Sequence, residues 1–486
     1  MIVGSFLAQA INKYKTMSKP ARASMWFIIS NVVLRGISFI TLPIFSRILT
    51  TEEYGIVSVY HSWVSIFTII TTLTIWGGVF NVGMVKYENR QSELVSSFQG
   101  LATFITVCFF ALTIILHNYS TKYLKLPISM IICIYVEILA VIPFNLWATR
   151  ERYLYNYKKL IAITAITAIL NPLLGYFAVI YSKDKAFARV ASGVLIQLII
   201  GIIFFVSNYI KGKKLFSMDL WKFGFMFNIV LVPHYLSSQV LNQSDRIMIN
   251  NLCGASDAGI YSVAYNFAML LSLVTNGINS SLTPHIYQSL KEKRTDKLSK
   301  ETTSIILIVS IITILAICLV PDVFKLMLPQ SYYDAIWVIP PVTVGAFFLF
   351  LYPLFGSVEF FFEEKIYVTL ASIIGAILNI LLNYVFIKIF GFIAAAYTTL
   401  FCYMCFSLCH YLFMKKVLKK NGIDCEIYDA KKIIFISIIL IIVMIMMLFL
   451  YSSFFARWIV IAIVCTCLIY KGKQLKSLII NMLKKN

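Results

Sequence analysis

Apolar runs of about 20 residues recur along this chain, separated by short polar connections. A helix needs about 20 mostly apolar residues to cross bilayer hydrocarbon. The spans are read at 24–46, 55–78, 94–116, 127–147, 160–181, 187–208, 223–248, 260–283, 303–320, 335–357, 366–387, 391–413, 433–451 and 454–470. Membrane barrel strands are about ten residues long and alternate in polarity. The runs here are longer and uniformly apolar, so the expected fold is an all-α membrane protein of about fourteen transmembrane helices.

Composition agrees: 60% of residues are hydrophobic and 13% charged. A soluble domain carries about 25% charged residues and lacks the polar surface to hide this much apolar area. The formal net charge is +21. Its cations sit in short clusters between apolar runs, as at a membrane surface, which argues against a nucleic-acid partner. With a cytoplasmic N-terminus, cytoplasmic segments hold 31 of the 42 Lys and Arg. That bias is the expected cytoplasmic signature and places both termini in the cytoplasm. No cleavable signal peptide is expected, because Met1 to Arg22 is polar and basic. No GxxxxGK[ST] phosphate loop occurs, so no built-in nucleotide pump is expected.

An internal repeat relates two stretches: Thr51-Glu52-Glu53-Tyr54-Gly55-Ile56-Val57-Ser58-Val59-Tyr60 and Ser256-Asp257-Ala258-Gly259-Ile260-Tyr261-Ser262-Val263-Ala264-Tyr265. Arg47 and Arg246 precede them. The copies lie six spans apart, so they share one orientation, as in a parallel transporter repeat. A shared helix-start signal fits the acidic residues equally well. The expected organisation is an N-terminal lobe over 1–210, a second lobe over 211–413, and two further helices with a basic tail over 414–486.

Polar residues fall on helical faces. Asn31, Arg35 and Ser38 share one face of the first span, and Ser58, Ser62, Ser65 and Thr72 one face of the second. Tyr235, Ser238, Asn242 and Asp245 do the same in the seventh, and Ser272, Asn276, Asn279 and Thr283 in the eighth. These matched faces suggest a hydrated, positively biased cavity lined by both halves; interhelical packing is the alternative. Arg35, mid-span, fits a phosphate clamp or an ion pair with Glu137. Glu137 fits a proton or cation site or a permanent salt bridge, and Asp245 is a second ion-coupling candidate. Arg47 and Arg246 are expected at the outer mouth of the cavity. Glu359, at the inner end of its span, is expected to be solvated. His61 and His234 are weaker titratable candidates. Cys402, Cys405, Cys409 and His410 share one helix and are not expected to close around a metal. No cofactor or catalytic set is read, although H⁺ or Na⁺ coupling is open.

Three stretches carry a family resemblance. They are Leu42-Pro43-Ile44-Phe45-Ser46-Arg47-Ile48-Leu49-Thr50-Thr51-Glu52-Glu53-Tyr54-Gly55; Asp245-Arg246-Ile247-Met248-Ile249 with the Gly259-containing repeat; and Leu378-Asn379-Ile380-Leu381-Leu382-Asn383-Tyr384 with Gly391-Phe392-Ile393-Ala394-Ala395-Ala396-Tyr397-Thr398-Thr399. With them the chain resembles the Wzx-type polysaccharide and O-antigen flippases of the multidrug/oligosaccharidyl-lipid/polysaccharide exporter superfamily. The resemblance implies two six-helix lobes, MATE-like, around a central cationic cavity, with Arg35, Arg47 and Arg246 as its arginines. It also implies export of undecaprenyl-diphosphate-linked oligosaccharide across a bacterial cytoplasmic membrane, alongside glycosyltransferases and a polysaccharide polymerase. A drug or cation antiporter, a lipid II flippase and a membrane-embedded polymerase are the competing readings.

Overall fold

The computed structural model describes residues 17–292, 295–423 and 427–466. Among them the secondary structure is helical, with no strand. The helices are α1 (Lys19–Ile48), α2 (Thr51–Thr72), α3 (Gly78–Lys86), α4 (Gln91–Ile115), α5 (His117–Leu124), α6 (Ile128–Tyr153), α7 (Tyr157–Tyr181), α8 (Lys185–Gly212) and α9 (Met218–Ile229). They continue as α10 (Val232–Leu252), α11 (Ala255–Ala268), α12 (Leu271–Lys291), α13 (Thr295–Met327), α14 (Ile339–Phe361), α15 (Lys365–Phe390), α16 (Ala394–Lys420), α17 (Ala430–Leu450) and α18 (Phe454–Thr466). Ten helices are long and apolar enough to cross a membrane, or eleven with the bent pair α11–α12 taken as one span. The protein is thus a multi-pass helical membrane protein.

Two expected spans are not continuous. The span read at 223–248 breaks between α9 and α10, where Pro233 takes the second position of α10. Proline is tolerated there because the first helical N–H groups have no intrahelical partner. The span read at 260–283 bends by 42° between α11 and α12. The span read at 55–78 also ends early: Leu73 and Thr74 adopt φ of 52° and 51°, which closes α2.

The start of α2 shows what one sequence motif does. Thr50 accepts from the Glu53 backbone N–H at 3.1 Å, and Glu53 Oε2 accepts from the Thr50 N–H at 2.8 Å. This capping box satisfies two otherwise orphaned donors. The helix-start reading of the repeat therefore accounts for its acidic residues in the first copy.

The chain packs as two units, 1–236 and 237–486. In the first, α4, α6 and α8 approach closely at glycines. A Cβ on Gly201 of α8 would lie 2.5 Å from the Ala140 carbonyl oxygen of α6. One on Gly212 would lie 2.0 Å from Ser96 Oγ of α4. Small residues permit such backbone approach in membrane helices, where association rests on packing rather than on the hydrophobic effect. In the second unit α14 is the central helix, with 72% of its apolar window buried. At the surface of the first unit, Arg90 bridges Glu93 and Asp219 at 2.7 Å each.

Candidate functional site

Within the second unit, the polar residues of two sequence stretches converge on one carboxylate. Asp245 of α10 is 1% exposed. Its Oδ1 accepts from Asn383 Nδ2 at 2.6 Å and Asn379 Nδ2 at 3.3 Å, both on α15. Its Oδ2 accepts from Tyr261 Oη of α11 at 2.6 Å and Thr399 Oγ1 of α16 at 2.7 Å. A second ring of bonds orients these donors: Ser244 donates to Asn379 Oδ1 at 2.6 Å, and Thr398 donates to Asn383 Oδ1. Three helices, α11, α15 and α16, thus supply the carboxylate with neutral donors, and no cation forms a salt bridge with it among the described residues. Burying a carboxylate demands such donors. Tyr261 lies 16 residues from Asp245, but Asn379, Asn383 and Thr399 lie 134 to 154 residues away, which explains why the constellation was invisible along the chain.

In the first unit the acid set against a tyrosine is Glu137 of α6, which is half-buried. It accepts from Tyr60 Oη of α2 at 2.6 Å, and Arg189 of α8 acts on it electrostatically at longer range. Sequence reasoning paired Glu137 with Arg35 and passed over Tyr60 and Arg189. Arg189 falls near the start of the span read at 187–208, where a cation carries no distinctive sequence signal. In the structure its guanidinium lies 4.4 Å over the Phe45 ring, and Nη1 donates to Asn171 Oδ1 of α7 at 3.0 Å. Gly175 makes room for it: a Cβ there would meet Arg189 Nη1 at 3.1 Å and Phe45 Cζ at 3.2 Å.

Arg189 lines a cavity of about 420 Å³ bounded by α1, α6, α7 and α8. Its polar lining comes chiefly from Asn145, Thr164, Thr167, Asn171, Arg189 and Gln197. Ser38, a predicted substrate contact, also lines it. Asn31 and Arg35 lie on α1, but their side chains lie outside the described residues.

The remaining predicted residues scatter. Arg47 is exposed on the last turn of α1. Arg246 is 6% exposed and held inside its own unit. It donates to Gln243 Oε1 at 2.7 Å and Asn266 Oδ1 at 3.3 Å, and it stacks 4.5 Å over Tyr265. Expected at a cavity mouth, it instead braces α10 against α11, because two side-chain acceptors and a ring within reach outcompete exposure. Asn242 accepts from Tyr403 Oη at 2.8 Å, while Ser238 is exposed. Asn279 is 7% exposed and donates to the Phe350 carbonyl at 3.4 Å; Asn276 is exposed. Tyr235 is half-buried in the first unit. The hydroxyls of Ser62, Ser65 and Thr72 donate to carbonyls four residues back on α2, so that row needs no neighbouring helix.

One expectation is overturned. Glu359 is not a solvated helix end: it is fully buried against His410, whose Nδ1 lies 3.0 and 3.1 Å from its two carboxylate oxygens. Tyr352 and Phe406 cover the imidazole at 4.6 and 4.7 Å. Residue 359 ends a hydropathy window, but α14 is central in its unit, so its end is enclosed by protein. No cluster of three or more His, Cys, Asp or Glu suited to a metal occurs among the described residues.

Comparison with known proteins places this arrangement. The sequence profile of the family described as polysaccharide biosynthesis protein matches residues 21–290. The chain belongs to this family. A MatE profile matches residues 231–385, so family signatures reach into both units. A Lsg locus protein of Haemophilus influenzae is 22% identical over 298 residues, covering 57% of this chain and 68% of that protein. The succinoglycan biosynthesis transport protein ExoT of Rhizobium meliloti is 25% identical over 311 residues, 58% of this chain and 57% of its own. Among solved structures, an inward-facing multidrug resistance MATE family transporter of the MOP superfamily matches with a TM-score of 0.62 at 12% identity, covering 82% of this chain and all of that one. The lipid II flippase MurJ in an inward closed conformation matches with a TM-score of 0.62 at 15% identity, covering 90% of this chain and all of that one. The family member described here therefore has the fold of the MATE transporter and of MurJ, and one of its sequence relatives is named as a transport protein.

Proposed function

We propose that this protein flips undecaprenyl-diphosphate-linked oligosaccharide from the inner to the outer leaflet of a bacterial cytoplasmic membrane by alternating access. The observation that carries the reading is family membership over 270 residues, 21–290, in a chain of membrane-crossing helices. The named succinoglycan transport relative supports the substrate class. The physical need is plain: a diphosphate sugar cannot enter hydrocarbon without losing its hydration, and the loss is costly for any charged group. Polar side chains inside a bundle replace that hydration, while the prenyl tail stays in lipid.

In this reading both termini are cytoplasmic, and glycosyltransferases and a polysaccharide polymerase supply the substrate and consume the product. Head-group contacts are assigned to Arg35, Asn31, Ser38, Arg47, Tyr235, Ser238, Asn242 and Asn276. Arg246 and Asn279 are proposed contacts as well, each also holding its helix in place. Asp245 and Glu137 are the ion-coupling groups. Asp245 is supported by its burial among neutral donors, where H⁺ or Na⁺ would supply the countercharge and the Tyr261 and Thr399 oxygens could act as further ligands.

The test is reconstitution into vesicles with a fluorescent polyprenyl-diphosphate oligosaccharide, scoring the fraction exposed to an outer-leaflet hydrolase. Transport of this lipid is expected to exceed that of lipid II and of an organic cation assayed in parallel. Equal or greater transport of either competitor assigns the chain to that substrate and ends the proposal.

A further inference from the structure

The cavity among α1, α6, α7 and α8 contains more polar capacity than the protein uses. The carboxamides of Asn145 and Gln197 line it, and neither takes a hydrogen bond from any described residue. Arg189 spends one of its five N–H donors, on Asn171, and forms no salt bridge within 4.0 Å among the described residues. Thr164 and Thr167 give their protons to the Leu160 and Ile163 carbonyls at 2.6 and 2.7 Å, so their oxygens face the cavity as acceptors. Both carboxamides are only partly covered by protein, so their donors and acceptors stay open to the cavity. Unpaired amides on membrane-crossing helices favour a polar occupant over hydrocarbon.

We propose that this cavity is a subsite for a polyhydroxylated, anionic sugar unit of the transported glycan. The inference rests on the flippase reading. Carboxamides both donate and accept, and so do sugar hydroxyls. The guanidinium, braced by Phe45 and Gly175, fits a carboxylate or phosphate. A volume of about 420 Å³ lies in the range of small-molecule sites, about 300–1,000 Å³. Thr164 and Asn171 lie seven residues apart on α7, about 10 Å, so the lining extends over two helical turns. A cationic drug is repelled by Arg189, and a prenyl chain would leave the Asn145, Gln197 and Arg189 groups unpaired.

The experiment uses the full-length protein in nanodiscs and three probes: a uronate-bearing trisaccharide, a neutral trisaccharide and inorganic pyrophosphate. Binding is measured by calorimetry, and flipping by the vesicle assay. Arg189→Gln is expected to weaken the uronate sugar about tenfold or more while leaving the neutral sugar within about twofold. Asn145→Leu with Gln197→Met is expected to weaken both sugars about tenfold. Because it removes unpaired amides, the double variant is expected to melt no lower than the parent, which separates lost binding from lost folding. Unchanged sugar binding in both variants, with flipping intact, overturns the subsite and leaves the flippase reading standing. Pyrophosphate binding that depends on Arg189, without sugar binding, overturns the sugar assignment in favour of the diphosphate linkage. Arg189-dependent uronate binding in a protein that flips no lipid-linked glycan supports the subsite and ends the flippase reading instead.

Discussion

At the scale of single residues, each unit sets an acid against a tyrosine of a repeat-bearing helix: Glu137 on Tyr60, and Asp245 on Tyr261, both at 2.6 Å. The two acids come from helices that are not repeat equivalents, so the likeness is chemical rather than inherited by position. The Asp245 ring gives a sharp prediction. Asp245→Asn replaces one carboxylate oxygen with an NH₂ that turns two N–H donors toward two existing donors. A loss of about 1–3 kcal/mol in unfolding stability is expected, together with loss of any Na⁺ or H⁺ dependence of flipping. Flipping with unaltered ion dependence in that variant would remove Asp245 as a coupling group. Glu359 and His410 make a second test. Removing one partner of a buried pair costs about 3–5 kcal/mol, whereas replacing both with apolar residues is often neutral. His410→Leu is expected to melt well below the parent, and Glu359→Met with His410→Leu to recover most of the loss. Additive losses would show that the two do not act as a pair. Asp245 was legible as a polar residue on a helical face, but its partners were not. Periodicity reports which face a side chain occupies, and nothing about a helix met more than 130 residues later.

Elements were easier to read than contacts, because crossing hydrocarbon imposes length and apolarity on each helix independently. That same averaging hid the breaks. A window of about 20 residues sees α9 and α10 as one run, since the two turn residues Val230 and Leu231 are apolar. Close packing was equally silent, because glycine adds nothing distinctive to a hydropathy window. Gly201→Ala places a Cβ 2.5 Å from backbone of α6, which no rotamer change relieves. The expected cost is about 1–3 kcal/mol of overpacking, read as a lower melting temperature in detergent. Gly277→Ala, with nothing within 4 Å of the added carbon, is expected to be neutral or to gain up to about 1 kcal/mol in helix propensity. Equal effects at the two sites would mean that α6 and α8 do not meet as described. Charge also joins elements at the surface. The Arg90 guanidinium beside Asp219 holds its carboxyl below the usual range, with Ser217 adding a second donor. A depressed folded-state pKa contributes stability above the unfolded value, about 3.9, and loses it as pH falls further. Exposed as it is, that bridge is expected to be weak and salt-sensitive.

At the scale of the whole molecule, the question is how much net charge one transport cycle moves. The family and fold were legible in advance from the order and spacing of the motif stretches that carry Asp245, Asn379 and Thr399, which the structure brings into one buried cluster. The energetics of the cycle depend instead on what the substrate and the coupling ion carry together. An inside-negative potential assists outward movement of an anion by about 2.3 kcal/mol per charge per 100 mV. At about 1.4 kcal/mol per decade, each net charge moved outward changes the outer-to-inner substrate ratio by about fiftyfold at 100 mV. Entry of a cation in exchange at Asp245 adds to that displacement, because a positive charge moving inward and a negative charge moving outward are the same current. Exit of a cation together with the glycan cancels it. In vesicles clamped at zero and at 100 mV, the parent protein is expected to show a potential-dependent ratio. Asp245→Asn is expected to show a smaller dependence if the ion is exchanged, and a larger one if it leaves with the glycan. A ratio indifferent to potential in both proteins would mean that no net charge crosses, and would rule out assistance by the membrane potential.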